Sequence, residues 1–526
     1  VAIFLGLDAS TQSLTAILVE VSARTPRVVF ERTFTYDAEL PQYGTVKGVL
    51  RGSDPAVVVS PPLMWADALD RMIAALVAER PGEMARLAAV SGSAQQHGSV
   101  YLNAGAASAI ASLDPRAPLV GQLAGVFSRP VSPVWMDSST TAECREITAA
   151  VGGDAVMAQR TGSRAFERFA GPQIRKFFKH EPDAYARTAR IHLISSFLAT
   201  LLSGADAAVD AGDGSGMSLL DLTARAWWPA ALAATAPGLG EKLPAVAASS
   251  AVVGSLGPYW RERYGLPAAR VIAWSGDNTC SMIGTGLVAE GHLTISLGTS
   301  DTIFGLMREP RVSASGIGHV FGAPTGDFMG ITVFKNGSLA RERIRDAYGL
   351  NWAGFSAALR ATPPGNAGAL MLPWFDPEIT PHVEHPGVRR LHLGDDDGPR
   401  NVRAVVEGQM MAMANHSRWM GVDISTIHAT GGAAGNRDVL QVMADVFNAD
   451  VYQFAVRNSA CLGAALRAWH ADQLASGEPL PWTIIVAGIA EPRPDTRVRP
   501  APANVPMYAE LRNRYAEFEK DHLMPT

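Results

Sequence analysis

The sequence predicts an α/β protein in two domains of comparable size. Short apolar runs of strand character recur along the chain, followed by polar or glycine-rich turns and by helices with an apolar face, the alternation from which α/β folds are built. At 526 residues the chain exceeds what one hydrophobic core ordinarily serves. Its opening plan is a strand from Ala2 to Leu7, the polar turn Asp8-Ala9-Ser10-Thr11-Gln12-Ser13 and a strand from Leu14 to Val21; it returns at 293 to 304. Any hairpin with a Ser/Thr-rich turn would give the same echo. Taken as real, it starts each domain on its own phosphate-facing hairpin.

Charge and composition narrow the function classes. A net charge of -5, with 18% charged and 47% hydrophobic residues, describes an ordinary globular protein with no basic face for nucleic acid or acidic membranes. Cys144, Cys280 and Cys461 are widely spaced, fit no metal pattern and leave one over if two pair, so they read as reduced thiols of a cytoplasmic protein. The apolar run Val1 to Leu7 is too short for a signal or membrane helix and stops at Asp8.

After the first hairpin, Tyr36 to Ser60 is punctuated by Gly and Pro and reads as an irregular excursion. Ser60-Pro61 supplies an N-cap and first helical position, and Trp65, Leu69, Met72, Ile73 and Leu76 share one helical face. Leu87 to Val90 is a strand that delivers Ser91 to Ser99, where Gln95, Gln96 and His97 follow one another. A lone histidine is usually a hydrogen-bonded core or surface residue, but adjacent glutamines give uncharged donors and acceptors suited to a neutral polyol. Asp137 ends another short strand and by itself reads as a helix cap. Arg164 and Arg168 lie between Gly162 and Gly171, and the local sequence gives Arg168 only a weak claim to function. Ile191 to Leu202 reads as helix and the Gly/Asp-rich run Asp206 to Met217 as a turn that fails the EF-hand pattern. The Pro/Ala-rich run to Pro267 closes the first domain, giving domains of 1–267 and 268–526.

The stretch Trp274 to Thr302 carries the chemistry. Asp277 and Asn278 emerge after the strand-like run Ala268 to Trp274, and open α/β sheets bind ligands at strand carboxyl ends. Leu293, Ile295 and Leu297 alternate into the turn Gly298-Thr299-Ser300-Asp301, which offers backbone N–H groups and hydroxyls to phosphate. A base-like carboxylate with a phosphate-cradling turn is what phosphoryl transfer to a hydroxyl requires. Beyond it, a helix is expected to bury Leu339, Ile344 and Ala347. Trp352 either fills core, which packing frequency favours, or stacks on a ligand ring. Leu370 to Pro399 reads as loop and Val402 to Met420 as a long helix. Ile427 to Asn436 is strand then glycine-rich loop, and Val439, Val442, Met443, Val446 and Phe447 pack the next helix, whose N-terminus can face a nucleotide. Ser459 to Ala468 is a close-packed helix. The last helix docks through Tyr508, Leu511, Tyr515 and Phe518.

Four of these segments, GLDASTQS, SGDN, SLGTSDT and ATGGAAGN, together resemble the FGGY carbohydrate kinases, with agreeing spacing over the whole chain. SGSAQQHGSVY, SPVWMDSST, TGSRAFERF and WSGDN are most similar to the longer xylulokinases of that family, which implies D-xylulose as substrate. The resemblance implies two ribonuclease-H-like domains of the actin/hexokinase type flanking a cleft for ATP and sugar, the N-terminal one on the sugar side and the C-terminal one on the nucleotide side. It assigns Asp277 as catalytic base, Asn278, His97 and Arg168 to the sugar, Asp8, Ser10 and Thr11 to the first phosphate motif, and Gly298, Thr299 and Ser300 to the second. Gly431, Gly432 and Asn436 match the adenosine loop, and Trp352 an aromatic against adenine. Mg²⁺ is expected to bridge ATP oxygens through waters, with help from Asp8. The implied partners are a ketose and ATP, with no nucleic acid and no membrane, and a homodimer is open. One departure concerns the first motif, which usually reads Asp-x-Gly-Thr followed by a basic residue. Here Ser10 replaces the glycine and Thr15 the base. Kinases for ribulose, fuculose or glycerol, a catalytically silent nucleotide- or sugar-binding regulator, and an ATPase using water are the rival readings.

Overall fold

Two sheets with the same strand order form the centres of two units. The structure, a computed structural model, describes residues 1–454 and 458–523. The first unit comprises Val1–Val288, Val320–Phe328 and Arg457–Ala490, and the second Ala289–His319, Met329–Val456 and Glu491–Thr526.

In the first unit β1 (Ala2–Ala9) pairs antiparallel with β2 (Ser13–Ser22), and β2 with β3 (Thr25–Thr35); on its other side β1 runs parallel to β4 (Leu87–Ala94), which runs parallel to β5 (Arg270–Ile272). Ile3, Phe4, Leu5 and Leu7 are all buried, so β1 is covered on both faces and reads as one apolar run. The helix Pro62–Glu79 lays Trp65, Leu69, Met72, Ile73 and Leu76 into this core, starting one residue beyond the expected Pro61.

The second unit repeats the plan. There β6 (His292–Leu297) pairs antiparallel with β7 (Asp301–Met307), and β7 neighbours β8 (Phe328–Phe334). On its other side β6 runs parallel to β9 (Thr426–Thr430), and β9 to β10 (Asp450–Gln453). The echo between the two hairpins is thus a repeat of the whole sheet order, β3-β2-β1-β4-β5 against β8-β7-β6-β9-β10, which is the paired ribonuclease-H-like architecture. The core here gathers Ile295, Val405, Val406, Met410, Val442, Met443, Tyr508 and Tyr515 from β6 and three helices.

Several elements depart from the sequence reading. Helix Ser459–Ala475 lies late in the chain but packs in the first unit, against β1, β4 and the helix Asp277–Gly284, so neither unit is one contiguous stretch divided at 267. Its small residues have a cause: a Cβ on Gly463 would sit 1.9 Å from the Cys280 carbonyl oxygen, and one on Gly284 1.9 Å from that of Ser459. The span Ile191 to Leu202 is split, with Thr188–Leu193 a strand paired to Ser99–Asn103 and Ile194–Ser203 the helix. Within the expected loop 370–399, Leu370–Leu372 pairs with Arg389–Leu391. The long helix runs Gly398–His416. In the helix Ser338–Ala347, Leu339 is 42% exposed and the buried places go to Ala340, Arg341 and Ile344.

Candidate active site

In the first unit, Ser93 of β4 lies opposite Asp8 of β1 on one side and opposite Ser275 of the short strand Ser275–Gly276 on the other. Asp8 and Asp277 therefore leave the carboxyl ends of strands that flank β4, where parallel sheets present ligand-binding groups. Asp277 opens the helix Asp277–Gly284. Its Oδ1 accepts the Asn278 N–H at 2.8 Å and Asn278 Nδ2 at 3.2 Å, and the Gln96 backbone N–H also donates to this carboxylate. Burial, and then the negative charge of Asp8, push the pKa of Asp277 up to about 7. Burial likewise raises Asp8 to about 6, against the pull of the Ser93 hydroxyl. Asp8 Oδ1 has no hydrogen-bond partner among the described residues.

The glutamine–histidine turn is held against these groups. Gln96 Oε1 accepts from Asn278 Nδ2 at 2.7 Å, and Gln96 Nε2 donates to the Gly212 carbonyl at 3.3 Å. Both amide hydrogens of Asn278 are thereby used, leaving its Oδ1 as an acceptor. His97 takes a left-handed backbone conformation, φ 75°, which a non-glycine residue adopts only when its surroundings enforce it. Its ring stacks on Phe169 at 4.4 Å, and Nδ1 donates to the Gly216 carbonyl at 2.8 Å. A Cβ on Gly216 would reach to 2.6 Å from that nitrogen, so the approach requires glycine. Burial, then the positive charge of Arg168, lower the His97 pKa to about 3. The ring is neutral with its proton on Nδ1, and Nε2 accepts. Arg168 lies over the rings of Phe166 and Phe169, at 5.2 and 5.8 Å.

Of the first phosphate motif, Ser10 uses its hydroxyl inside the turn, on Ser13 O and Ser13 Oγ at 3.0 Å. Thr11 Oγ1 instead accepts from Trp135 Nε1 at 2.8 Å, and this indole is 46% exposed. Thr15 is 4% exposed and shares a hydrogen bond with Thr33 on β3 at 3.1 Å, so its side chain is engaged within the sheet. Asp137 is a buried structural carboxylate, accepting from Val58 N, Ser139 N and Gln173 Nε2 at 2.7 to 3.0 Å.

Sequence reasoning passed over the run Asp206 to Met217. From Val209 on it is mostly buried: Asp210 accepts from Ser249 Oγ at 2.5 Å, Ser275 Oγ at 2.9 Å and the Asp213 N–H at 2.8 Å, with Arg467 at 3.6 Å. Arg467 also donates to the carbonyls of Ala273 and Gly92, at 2.8 and 3.2 Å. These bonds tie the strand that leads into Asp277 to the loop that holds His97. The density of Asp and Gly in DAAVDAGDGSGM was the available signal.

In the second unit a cavity of about 820 Å³ is bounded by Gly298 and Thr299 of the β6–β7 turn, by Trp352 and Ser356, and by Gly432 and Asn436 before the helix Arg437–Phe447. Ser300 and Gly431 are not on its wall. Gly431, at φ 86°, backs the turn, where a Cβ would come 2.5 Å from the Leu297 carbonyl oxygen. Asn436 caps the helix: its Oδ1 accepts from the N–H groups of Asp438 and Val439, at 3.0 and 3.3 Å, and its Nδ2 donates to Ser356 Oγ at 2.8 Å. Trp352, first residue of the helix Trp352–Ala361, is 44% exposed, so it is not the core residue that packing frequency favoured. The guanidinium of Arg345 lies over its ring at 4.5 Å. Arg360 and Asp438, also on the wall, pair at 2.5 Å. A positive helix end, a glycine turn and an aromatic shelf around this volume suit a nucleotide.

Among the described residues no group of three or more His, Cys, Asp or Glu side chains can hold a metal ion, and no helix is long and apolar enough to cross a membrane. The chain is 42% identical to a xylulose kinase of Rattus norvegicus over 98% of its own length and 96% of the relative's, and 42% identical to xylulose kinase 2 of Arabidopsis thaliana over 89% and 87%. The crystal structure of a xylulose kinase from Rhodospirillum rubrum superposes with a TM-score of 0.82 at 20% identity, covering 99% of this chain and 98% of that one, a likeness of fold. Residues 130–284 match the N-terminal domain and residues 293–471 the C-terminal domain of one family, and with these relatives they show that the chain belongs to the FGGY family of carbohydrate kinases.

Proposed function

We propose that this carbohydrate kinase, with ATP as phosphate donor, phosphorylates D-xylulose to D-xylulose 5-phosphate with Asp277 as base. The observation that carries the proposal is the set of groups around Asp277. His97 Nε2 and Asn278 Oδ1 are left as acceptors for sugar hydroxyls, and Arg168 is the cation of the set. A ketose carbonyl oxygen can only accept, which suits a guanidinium. The choice of pentulose follows the activity named for the rat and plant relatives.

On this reading the Asp277 carboxylate takes the hydroxyl proton, held in place by the Asn278 hydrogen bonds to its Oδ1. A base with a pKa of about 7 is deprotonated in about half of the molecules at neutral pH and accepts a proton readily. Because phosphoryl transfer runs through a loose transition state, most of what Asp277 contributes is alignment of the attacking oxygen. His97 and Asn278 fix the set of hydroxyls that determines that alignment. The first unit is the sugar side and the second the nucleotide side, with adenine on Trp352, the phosphates at Gly298, Thr299 and Ser300, and the Gly431, Gly432 and Asn436 loop around the adenosine. In the first hairpin, Asp8 and Thr11 are the groups of the first phosphate motif, while Ser10 shapes the turn.

Mg²⁺ fits this site. It holds several waters and binds through one or two carboxylates and the substrate phosphates, and Asp8 has a buried oxygen, without a partner among the described residues, for a bound water. When bound it neutralises phosphate charge. The three cysteines are free buried thiols, which supports a reducing, cytoplasmic setting.

A coupled ADP-release assay across D-xylulose, ribulose, fuculose and glycerol tests the proposal. D-xylulose should give the highest kcat/KM by at least about tenfold, the discrimination that one or two buried hydrogen bonds supply. A preference for glycerol, or ADP release indifferent to any sugar, would sink it.

A further inference from the structure

We infer that Arg341 is a positioning residue for the phosphate turn, acting through the carboxylate of Asp301 rather than on the nucleotide itself. The inference rests on the reading of residues 298 to 300 as the phosphate turn. Leu297 pairs with Asp301 across the β6–β7 hairpin, so Asp301 is the residue that closes this three-residue loop.

The loop is held at both ends by the helix Ser338–Ala347. Ser338 N–H donates to the Gly298 carbonyl at 2.8 Å, while the Gly298 N–H donates to the Asp301 carboxylate. The helix start is so close that a Cβ on Gly337 would lie 2.6 Å from Thr299 O and 2.8 Å from Asp301 N. On the same helix, Arg341 grips Asp301 with both terminal nitrogens, Nη1 to Oδ2 at 2.8 Å and Nη2 to Oδ1 at 3.0 Å, and both side chains are 1% exposed. Nη1 also donates to Gln409 Oε1 at 2.8 Å. Gln409 Nε2 returns to the carbonyls of Asn336 and Gly337, at 2.7 and 2.9 Å. The chain of bonds is therefore closed: turn, Asp301, Arg341, Gln409, Gly337 and, through the next residue Ser338, the turn again.

Stability alone does not account for this arrangement. A buried ion pair gains little over well-packed apolar side chains of the same volume, because both charges must be stripped of water. What a two-pronged guanidinium–carboxylate grip supplies is one fixed geometry. Here the object fixed is a loop whose N–H groups must already point outward when phosphate arrives, since ordering it on binding would subtract from affinity. Arg341 borders the nucleotide cavity, but both of its terminal nitrogens are engaged by Asp301 and Gln409.

The test compares ATP with adenosine, which shares the base and ribose but not the phosphates. Titration calorimetry on the intact protein gives both affinities without turnover, and kcat, both KM values and Tm are measured alongside. Arg341→Lys keeps the charge and loses the two-pronged grip. It should weaken ATP by about tenfold or more, while adenosine and the ketose KM stay within about twofold. A folded Arg341→Lys protein with the parent's ATP-to-adenosine affinity ratio would overturn the inference. If that variant does not fold, Gln409→Leu leaves the Asp301–Arg341 pair and removes only its tether. The ratio should then fall by about threefold to fivefold, and an unchanged ratio in this folded variant also overturns it. A parent protein that binds adenosine as tightly as ATP would instead refute the phosphate-turn reading underneath.

Discussion

Replacing Asp277 with asparagine should have opposite effects on activity and stability, and the size of each follows from the site. The carboxyl titrates near 3.8 in an unfolded chain and about 7 in the folded protein, chiefly through burial and then through Asp8. Between those values the folded form holds a proton that the unfolded form has released, so stability falls as pH rises through this window and the full cost applies above about pH 7. At about 1.4 kcal/mol per pH unit the ceiling is roughly 4 kcal/mol, and the partial exposure of Asp277 brings the expected figure to about 1–3 kcal/mol. The amide that Asp277→Asn introduces cannot ionise. The variant should therefore melt a few degrees above the parent at pH 8 and level with it at about pH 4, where both side chains are neutral. Above about pH 7, where the parent's carboxylate is ionised, its turnover should drop by at least about a hundredfold, with ketose affinity within about tenfold. In the parent, kcat/KM should rise through an acid limb near pH 7, and Asp8→Asn should move that limb lower by removing the neighbouring charge. Calorimetric Tm at the two pH values and coupled ADP release measure all of this. Activity within about tenfold of the parent, or no pH dependence in the Tm difference, would refute the account of Asp277 as a desolvated base.

Other substitutions separate the two halves of the site. His97→Ala removes an acceptor held by Phe169 and Gly216, and should raise the ketose KM by an amount equivalent to about 1–3 kcal/mol while leaving the ATP KM within about twofold; a change confined to ATP would move the glutamine–histidine turn out of the sugar site. Trp352→Ala should raise the ATP KM by an amount equivalent to about 1–3 kcal/mol of lost stacking. Because Trp352 is 44% exposed, its removal should change Tm little, and a large fall in Tm with an unchanged ATP KM would restore the core reading.

How much the sequence discloses depends on whether a residue's role is set by neighbours along the chain or across it. The faces at Trp65, Leu69, Met72 and Leu76, and at Val439, Val442, Met443 and Val446, were legible because helical spacing is local, and all eight are buried. Arg341 was not, since the same spacing nominates Leu339 as the buried apolar residue, and the carboxylate that makes burying an arginine tolerable lies forty positions earlier at Asp301. The run 206 to 217 misled for a similar reason. Asp and Gly mark surface turns, yet Asp210 is wholly buried because Ser249, Ser275 and Arg467, none near it in sequence, satisfy it. The helix Ser459–Ala475 was recognisable as close-packed from its Ala and Gly, but nothing in that pattern says which sheet it covers.

The repeated sheet explains why one chain needs two differently charged ends. In both units the loop after the parallel neighbour of the opening strand occupies the same topological place, after β4 in one and after β9 in the other. After β4 it carries Gln95, Gln96 and His97, beside two carboxyls of raised pKa. After β9 it carries Gly431 and Gly432 and leads into a helix N-terminus capped by Asn436. On the proposed reading, ionised Asp277 tolerates a neutral sugar and takes its hydroxyl proton, while the charge of Asp8 calls for a cation beside any phosphate. Glycine amides and a positive helix end favour an anion and offer nothing that can act as a base. The second unit does have a carboxylate at its opening hairpin, Asp301, but Arg341 neutralises it with a two-pronged grip. On the proposed reading, that pairing is what lets the second hairpin receive phosphate unaided, while at the first the Asp8 oxygen, buried without a partner among the described residues, takes a hydrated divalent ion that offsets its charge.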